Sequence, residues 1–464
     1  MTSNTHEDQL SLSVFLQLLH ELGYSDLDMP YKGSGIITTR DARTESVNAE
    51  IHFLDTLTVA LTTGRAGDVT AAAFDNHTLI LSKNADPTQE EDETVHQLLA
   101  LLAKPGTTGV NQLFPFLLHH CIGNMQKRLT SLEKSLNEFQ NLLKQRLVPE
   151  QPNATQANQR TYPQLQFYIP STITEEFPHT EKYRKQVYKP NGETSFEKML
   201  KDLITLCINL SKPAILNPDN VAASLSDYSA LSLMAGQLSR SRFLTLLSEG
   251  KVPQIAVSQI CAARLKRRLN KVRQYYNGMT DLVKEAKKRI SEPGKPIAFQ
   301  WADHESLSES AETQLNLPPD LHEVLQKAYE TCGLTFSPQD WAKIESTFPY
   351  LQSNWRQKGL IHTCIHAEIR IICRIGKHHA SELQAASMHI GPQRAIGVSK
   401  RSCMGCNMWI EFYNEVFRTQ WITSGSHGKP YATWGLPGIV REGWTPLDHS
   451  VLYGLILRLK DTFY

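Results

Sequence analysis

Leu360-Ile-His-Thr-Cys-Ile-His366-Ala-Glu368-Ile-Arg-Ile-Ile-Cys-Arg-Ile375, read with Arg394-Ala-Ile-Gly-Val-Ser-Lys-Arg-Ser-Cys403-Met-Gly-Cys406-Asn-Met-Trp-Ile-Glu-Phe-Tyr-Asn-Glu-Val-Phe417, decides the fold. The first block predicts a helix that starts near His366 and runs to about Ile375. The second predicts a strand over 394–399, a tight turn, and a helix that begins at the cysteines. His366 and Cys403 are 37 residues apart, which leaves room for that helix–strand–helix order.

The spacing suits a metal. One imidazole and two thiolates, from His366, Cys403 and Cys406, furnish three ligands of a tetrahedral zinc site and leave a fourth position for water. Both cysteines fall in the first turn of their helix, where free N–H groups and the helix dipole favour thiolate. Glu368 lies two residues past the histidine and can reach the water without ligating the metal. Bound zinc draws the pKa of such a water from about 15.7 towards about 7–9. H-x-E followed by P-C-x-x-C is a signature of zinc deaminases, with the glutamate as general acid/base. The rival is a closed, structural site: His362 and His366 are four residues apart, and both can join the cysteines. Glu368 then has no role, and the chain is a non-enzymatic helical interaction protein. A redox C-x-x-C lacks the βαβ context it needs. His362, Cys364 and Cys373 otherwise read as core or lining residues.

The remainder of the chain has room for two or three domains, or for one domain with a large insertion, in 464 residues. A formal net charge of +1 excludes a global field for nucleic acid or membrane, so such a partner needs a local patch. Eight scattered cysteines favour a reducing compartment, cytoplasmic or nuclear. The N-terminus reads as an amphipathic helix over 8–22 with acids before its apolar stretch, unlike a signal peptide. No run of about 18 apolar residues predicts a membrane span.

Residues 44–63 read as a helix, and 69–83 as a hairpin turning at Asp75-Asn76. From Ile122 the apolar residues fall at 122, 125, 129, 132, 136, 139 and 143. That spacing predicts a helix packed in a bundle, with oligomerisation through 122–147 as the alternative. Residues 148–192 read as an irregular linker. Arg264 to Arg289 holds ten Lys or Arg against two acids, either a phosphate footprint or a solvated helix face. His427, Lys429, Tyr431 and Trp434 follow a strand expected over 417–423, in a Gly/Pro-rich loop. There Lys429 can meet a phosphate and an aromatic can stack on a base, or else Trp434 and Tyr431 anchor the loop on the core.

At these residues the chain resembles the cytidine-deaminase-like superfamily, and more narrowly a branch seen mainly in fungi. That branch joins His366-Ala-Glu368, Ile396-Gly-Val-Ser-Lys-Arg-Ser-Cys403-Met-Gly-Cys406 and Gly425-Ser-His427-Gly-Lys429. Ser402 replaces the proline most superfamily members carry, as the branch itself does. The resemblance covers 361–437 and implies zinc on His366, Cys403 and Cys406, with Glu368 as general acid/base. It also implies an α/β fold, a three-layer α/β/α sandwich with a mixed sheet, elaborated by a large helical region. Its missing first helix and hairpin match residues 44–84, where Asn84 falls at a substrate-binding position. The domains expected are thus an N-terminal helix (1–43), a first part of the core (44–84), a mostly helical insertion (85–350) and the zinc-binding part (351–464), the alternative being an independent N-terminal helical domain before a degenerate catalytic one. The implied substrate is an amino-substituted nucleobase in a nucleotide or single-stranded nucleic acid, with His427, Lys429 and Trp434 at its mouth.

Overall fold

The computed structural model describes residues 5–26, 44–65, 67–145, 161–178, 195–290, 292, 294–302, 314–383, 391–437 and 445–463. The chain divides into two compact units, one made of Met1–Val59, Gly67–Glu93 and Ile297–Tyr464, the other of Ala60–Ala66 and Thr94–Pro296. Among the described residues no helix is long and apolar enough to cross a membrane.

The first unit is α/β. Helices α1 (Thr5–Glu21) and α2 (Glu45–Ala60) precede a hairpin of β1 (Thr70–Asp75) and β2 (Thr78–Lys83). Asp75 pairs with Thr78, so the loop is the two residues Asn76 and His77, one position beyond the expected turn. Asn76 takes the left-handed conformation at φ 54°, which asparagine tolerates better than most residues. Strand β2 also pairs in parallel with β3 (Phe299–Trp301). A second, two-stranded ladder joins β4 (Gln314–Asn316) to β5 (Leu360–His362), antiparallel. Neither ladder is a hairpin, so no local turn signal marks these strands.

The run before the cysteines splits in two. Its first half, β6 (Gln393–Ala395), pairs in parallel with β8 (Gln420–Ile422), and its second, β7 (Gly397–Val398), pairs antiparallel with β1. Residues 70–83 therefore share a mixed sheet, ordered β3-β2-β1-β7, with the strand that leads to Cys403.

Helices cover both faces of this sheet. Ala71, Ala73 and Ile80 lie in one core with Ile369 and Ile372 of the helix Ala367–Leu383, and with Met404 and Trp409 of the helix Met404–Phe417. On the other face Phe74 stacks on Phe53 of α2 with ring centroids 6.0 Å apart. Here α2 comes so close that a Cβ on Gly397 would lie 2.2 Å from Leu54 Cβ.

Asp55, the next residue of α2, accepts the Val398 N–H at 2.8 Å. Burial raises its carboxyl to about 6, against the opposing pull of the Val398 N–H, Ser424, His52 and Arg401. A carboxyl raised in the folded state binds its proton more tightly there than in the unfolded chain. Its contribution is complete below the ordinary value of 3.8 and is lost as pH rises through about 6. Asp55→Asn keeps the acceptor without the charge. Relative to wild type, the variant is expected to gain about 2 kcal/mol of stability between pH 4 and pH 8. Urea unfolding of both proteins at the two pH values checks this, and a difference that does not change with pH contradicts it.

The second unit is helical. Helix α3 (Gln89–Ala103) enters it, and α4 (Val110–His120) and α5 (Ile122–Lys144) follow. Along α5, Met125, Leu129, Leu132, Leu136, Phe139 and Leu143 are buried, as the spacing predicts. The stripe packs against the helices Phe196–Leu210 and Gln259–Arg273 of the same unit.

Several cations of the basic stretch are engaged within the unit. Arg264 pairs with Glu138 at 3.4 Å, Lys266 donates to Thr245 Oγ1 at 3.0 Å, and Arg268 donates to Ser131 O at 2.7 Å. A π-helical turn, Gln274–Gly278, breaks the ladder of this stretch. Nearby carbonyls find side chains instead: Arg128 donates to Lys271 O at 2.7 Å and Tyr228 Oη–H to Val272 O at 2.9 Å. Of the expected linker, residues 148–160 and 179–192 lie outside the described residues. The part between them corrects the expectation of irregular chain. It forms a 3-10 turn (Pro163–Phe167) and a short helix (Ile173–Glu176), with Tyr162, Leu165 and Phe177 buried.

Candidate metal centre

His366 stands at the step from extended chain into the helix Ala367–Leu383, and its carbonyl accepts the Ile369 and Arg370 N–H groups. Three ties fix that step. Cys364 N–H donates to Thr433 O, and Gly435 N–H to Cys364 O, both at 2.9 Å. The Ala367 N–H donates to Asn84 Oδ1 at 2.9 Å, so a side chain from the end of β2 caps the helix. The fully buried Arg370 donates Nε–H to Ile365 O at 2.8 Å and Nη2–H to Asn84 O at 3.2 Å.

Cys403 is the N-cap of the next helix. Its Sγ accepts the Cys406 N–H at 3.4 Å, as the expected first-turn placement requires. The preceding loop is clamped by the later Gly-rich segment. Ser402 N–H donates to Gly425 O at 3.2 Å, His427 N–H to Ser402 O at 3.0 Å, and Met404 N–H to Lys429 O at 3.1 Å.

These constraints bring the three expected ligands together. His366 Nδ1 is 3.5 Å from Cys403 Sγ and 3.3 Å from Cys406 Sγ. Around a tetrahedral zinc with bonds of about 2.0–2.3 Å, neighbouring N and S ligands sit about 3.5 Å apart. The donor set and its spacing thus fit zinc, with Nδ1 as the ligating nitrogen. Among the described residues, this is the one group of three or more His, Cys, Asp or Glu whose ligand atoms converge, within 4.8 Å of one another. His362 is exposed on β5 and stays outside the group, so the closed four-ligand alternative lacks its fourth ligand.

Burial shapes the protonation of the set. It opposes charge on Cys403, yet the Cys406 thiol, the His366 imidazole and the Cys406 N–H together pull the Cys403 thiol well below the usual range. Burial and the neighbouring Cys403 push Cys406 well above it. Burial would lower His366, but the Cys403 thiolate outweighs it and raises the imidazole. Glu368 is 3% exposed, and burial raises its carboxyl although His366 and the Cys406 thiol draw it down.

The substrate candidates separate. Asn84 stands at the His366 helix, and its amide nitrogen has no protein partner among the described residues. His427 is half-buried within electrostatic reach of Cys403 and His366, and burial lowers its pKa. Its Nδ1 accepts the Lys429 N–H at 3.1 Å, which leaves the proton on Nε2 in the neutral ring. Tyr431 is exposed and edge-on to His427 at 5.5 Å. Lys429 is exposed. Trp434, expected at the mouth, is fully buried, and its Nε1–H donates to Cys406 Sγ at 3.3 Å. That placement replaces base stacking with contact on the Cys406 sulfur, because Gln9 and the Cys364 backbone hold the Trp434 backbone inward.

Gln9, Asp55 and Arg370 escape a reading of the sequence. Gln9 carries a faint signal, a polar residue flanking the apolar face of an N-terminal helix. Arg370 carries another, a charge amid isoleucines.

Residues 365–438 match the model of a family described as OTT_1508_deam-like deaminase. The matched segment holds His366, Glu368, both cysteines, His427 and Trp434. No curated protein and no solved structure matches the chain.

Proposed function

We propose that the chain is a zinc-dependent hydrolytic deaminase of an amino-substituted nucleobase, presented in a nucleotide or a single-stranded nucleic acid. One observation carries the reading: His366 Nδ1 lies 3.5 Å from Cys403 Sγ and 3.3 Å from Cys406 Sγ, the three ligand atoms converging within 4.8 Å beside a buried carboxylate that is not itself one of the converging groups. The deaminase family match over the same segment supports it. When bound, zinc supplies the Lewis acidity that makes water nucleophilic near neutral pH.

The chain's own residues do the rest. Glu368 takes a proton as the C–O bond forms and delivers it to the departing amino nitrogen, which leaves as ammonia as the C–N bond breaks. Burial suits it to that work, because it raises the carboxyl above the ordinary glutamate range and so strengthens its hold on a proton. Asn84 turns its amide nitrogen to a base carbonyl, and His427 offers Nε2–H to the same substrate. Lys429, exposed in the neighbouring loop, meets a phosphate. In this reading residues 44–84 open the catalytic core, and the helical unit is an insertion within it. The test is ammonia release by zinc-loaded protein from a panel of nucleosides, nucleotides and single-stranded RNA and DNA. Release from at least one member is expected, and silence across the whole panel contradicts the reading.

A further inference from the structure

The two thiols of the centre have different partners. Cys403 Sγ accepts a backbone N–H, that of Cys406, whereas Cys406 Sγ accepts the indole N–H of Trp434 at 3.3 Å. The indole lies flat against the first turn of the cysteine helix. A Cβ on Gly405 would meet Trp434 Cδ2 at 2.8 Å, Cγ at 2.9 Å and Cε2 at 3.0 Å, so glycine between the two cysteines is what admits the ring.

The backbone of Trp434 is held from two directions. Gln9, fully buried on α1, donates Nε2–H to Trp434 O at 3.0 Å and accepts the Leu436 N–H at 2.7 Å. The Cys364 peptide bonds to Thr433 and Gly435 on either side of the tryptophan. Trp434 is thus tied to the extended segment that delivers His366 and to the helix that delivers Cys406.

A hydrogen bond to a thiolate stabilises its charge and withdraws electron density from its metal bond. Cys406 has no exposed surface, so water cannot do this for it. We propose that Trp434 is a positioning residue of the metal centre, which orients Cys406 and tempers its donation to zinc through the indole N–H. The inference rests on the zinc reading above.

The test uses the full chain, with Trp434→Phe to keep an aromatic ring and remove the donor. Zinc affinity is measured by competition with a chromophoric chelator, and the thiolate-to-metal charge-transfer band in cobalt(II)-substituted protein. The zinc dissociation constant is expected to rise about 10–100-fold. The cobalt band is expected to move to lower energy, a shift that a packing role alone does not produce. Affinity within about two-fold of wild type together with an unmoved band overturns the proposal. Should the variant fail to fold, wild-type protein labelled with 15N-tryptophan supplies the readout instead. One of its seven indole N–H signals is expected to move downfield on zinc loading and to resist hydrogen exchange. No responding indole overturns the proposal. Wild-type protein that binds no zinc at all brings down the zinc reading itself, a failure distinct from zinc bound with an indifferent Trp434.

Discussion

Glu368→Gln is expected to lower turnover by about 10²–10⁴-fold or more while leaving zinc content unchanged. Geometry comes before electrostatics here. Glu368 is the second residue of its helix, two positions past His366, and its carboxyl is buried beside both thiols. Glutamine fills the same space and can still accept a hydrogen bond, but it cannot carry a proton from the attacking water to the leaving nitrogen. His366, Cys403 and Cys406 are untouched, so the metal stays. Ammonia release and metal content measured on the same preparation separate the two effects. Equal activity in the variant contradicts the assigned role.

The second large effect is on stability. A methyl on Gly397 would stand 2.3 Å from the Leu54 carbonyl carbon and 2.5 Å from the Asp55 nitrogen, as well as against Leu54 Cβ. Two of these are backbone atoms of α2, which cannot swing aside as a side-chain end can. Gly397→Ala must therefore lift α2 from the sheet and loosen the Val398–Asp55 bond at 2.8 Å. A loss of about 3–5 kcal/mol is expected, combining overpacking with a charge-assisted hydrogen bond. Denaturant unfolding measures it, and a loss below about 1 kcal/mol means that α2 accommodates the methyl.

These two residues show what could be read from sequence and what could not. The H-x-E and C-x-x-C spacings act over one helical turn, so local geometry carries them from sequence to structure almost unchanged. The hairpin 70–83 and the α5 stripe are likewise local patterns, of period two and of alternating threes and fours. The role of Gly397 depends on a helix far away in the chain, which no local pattern encodes. Strands β3, β4 and β5 have three residues each and exist through partners distant in sequence. Trp434 is the clearest case. Glycines and prolines around it suggest an exposed loop, yet Gln9, separated from it by 425 positions, helps to seat it in the core. The same seat gives it the Cys406 sulfur to bond, so its chemistry follows from its burial.

The basic stretch teaches a related lesson. Ten cations in 26 residues suggest a phosphate footprint, but Arg264, Lys266 and Arg268 bond to side chains or carbonyls of their own unit. Of these three, Arg264 meets an opposite charge in Glu138, while Lys266 and Arg268 bond neutral oxygens and keep theirs.

Metal content of the purified chain tests the account most directly. Elemental analysis is expected to find close to one zinc per wild-type chain and close to none in Cys406→Ala, with the fold retained by circular dichroism. Zinc absent from the wild type, or kept undiminished without Cys406, contradicts a centre built on His366, Cys403 and Cys406.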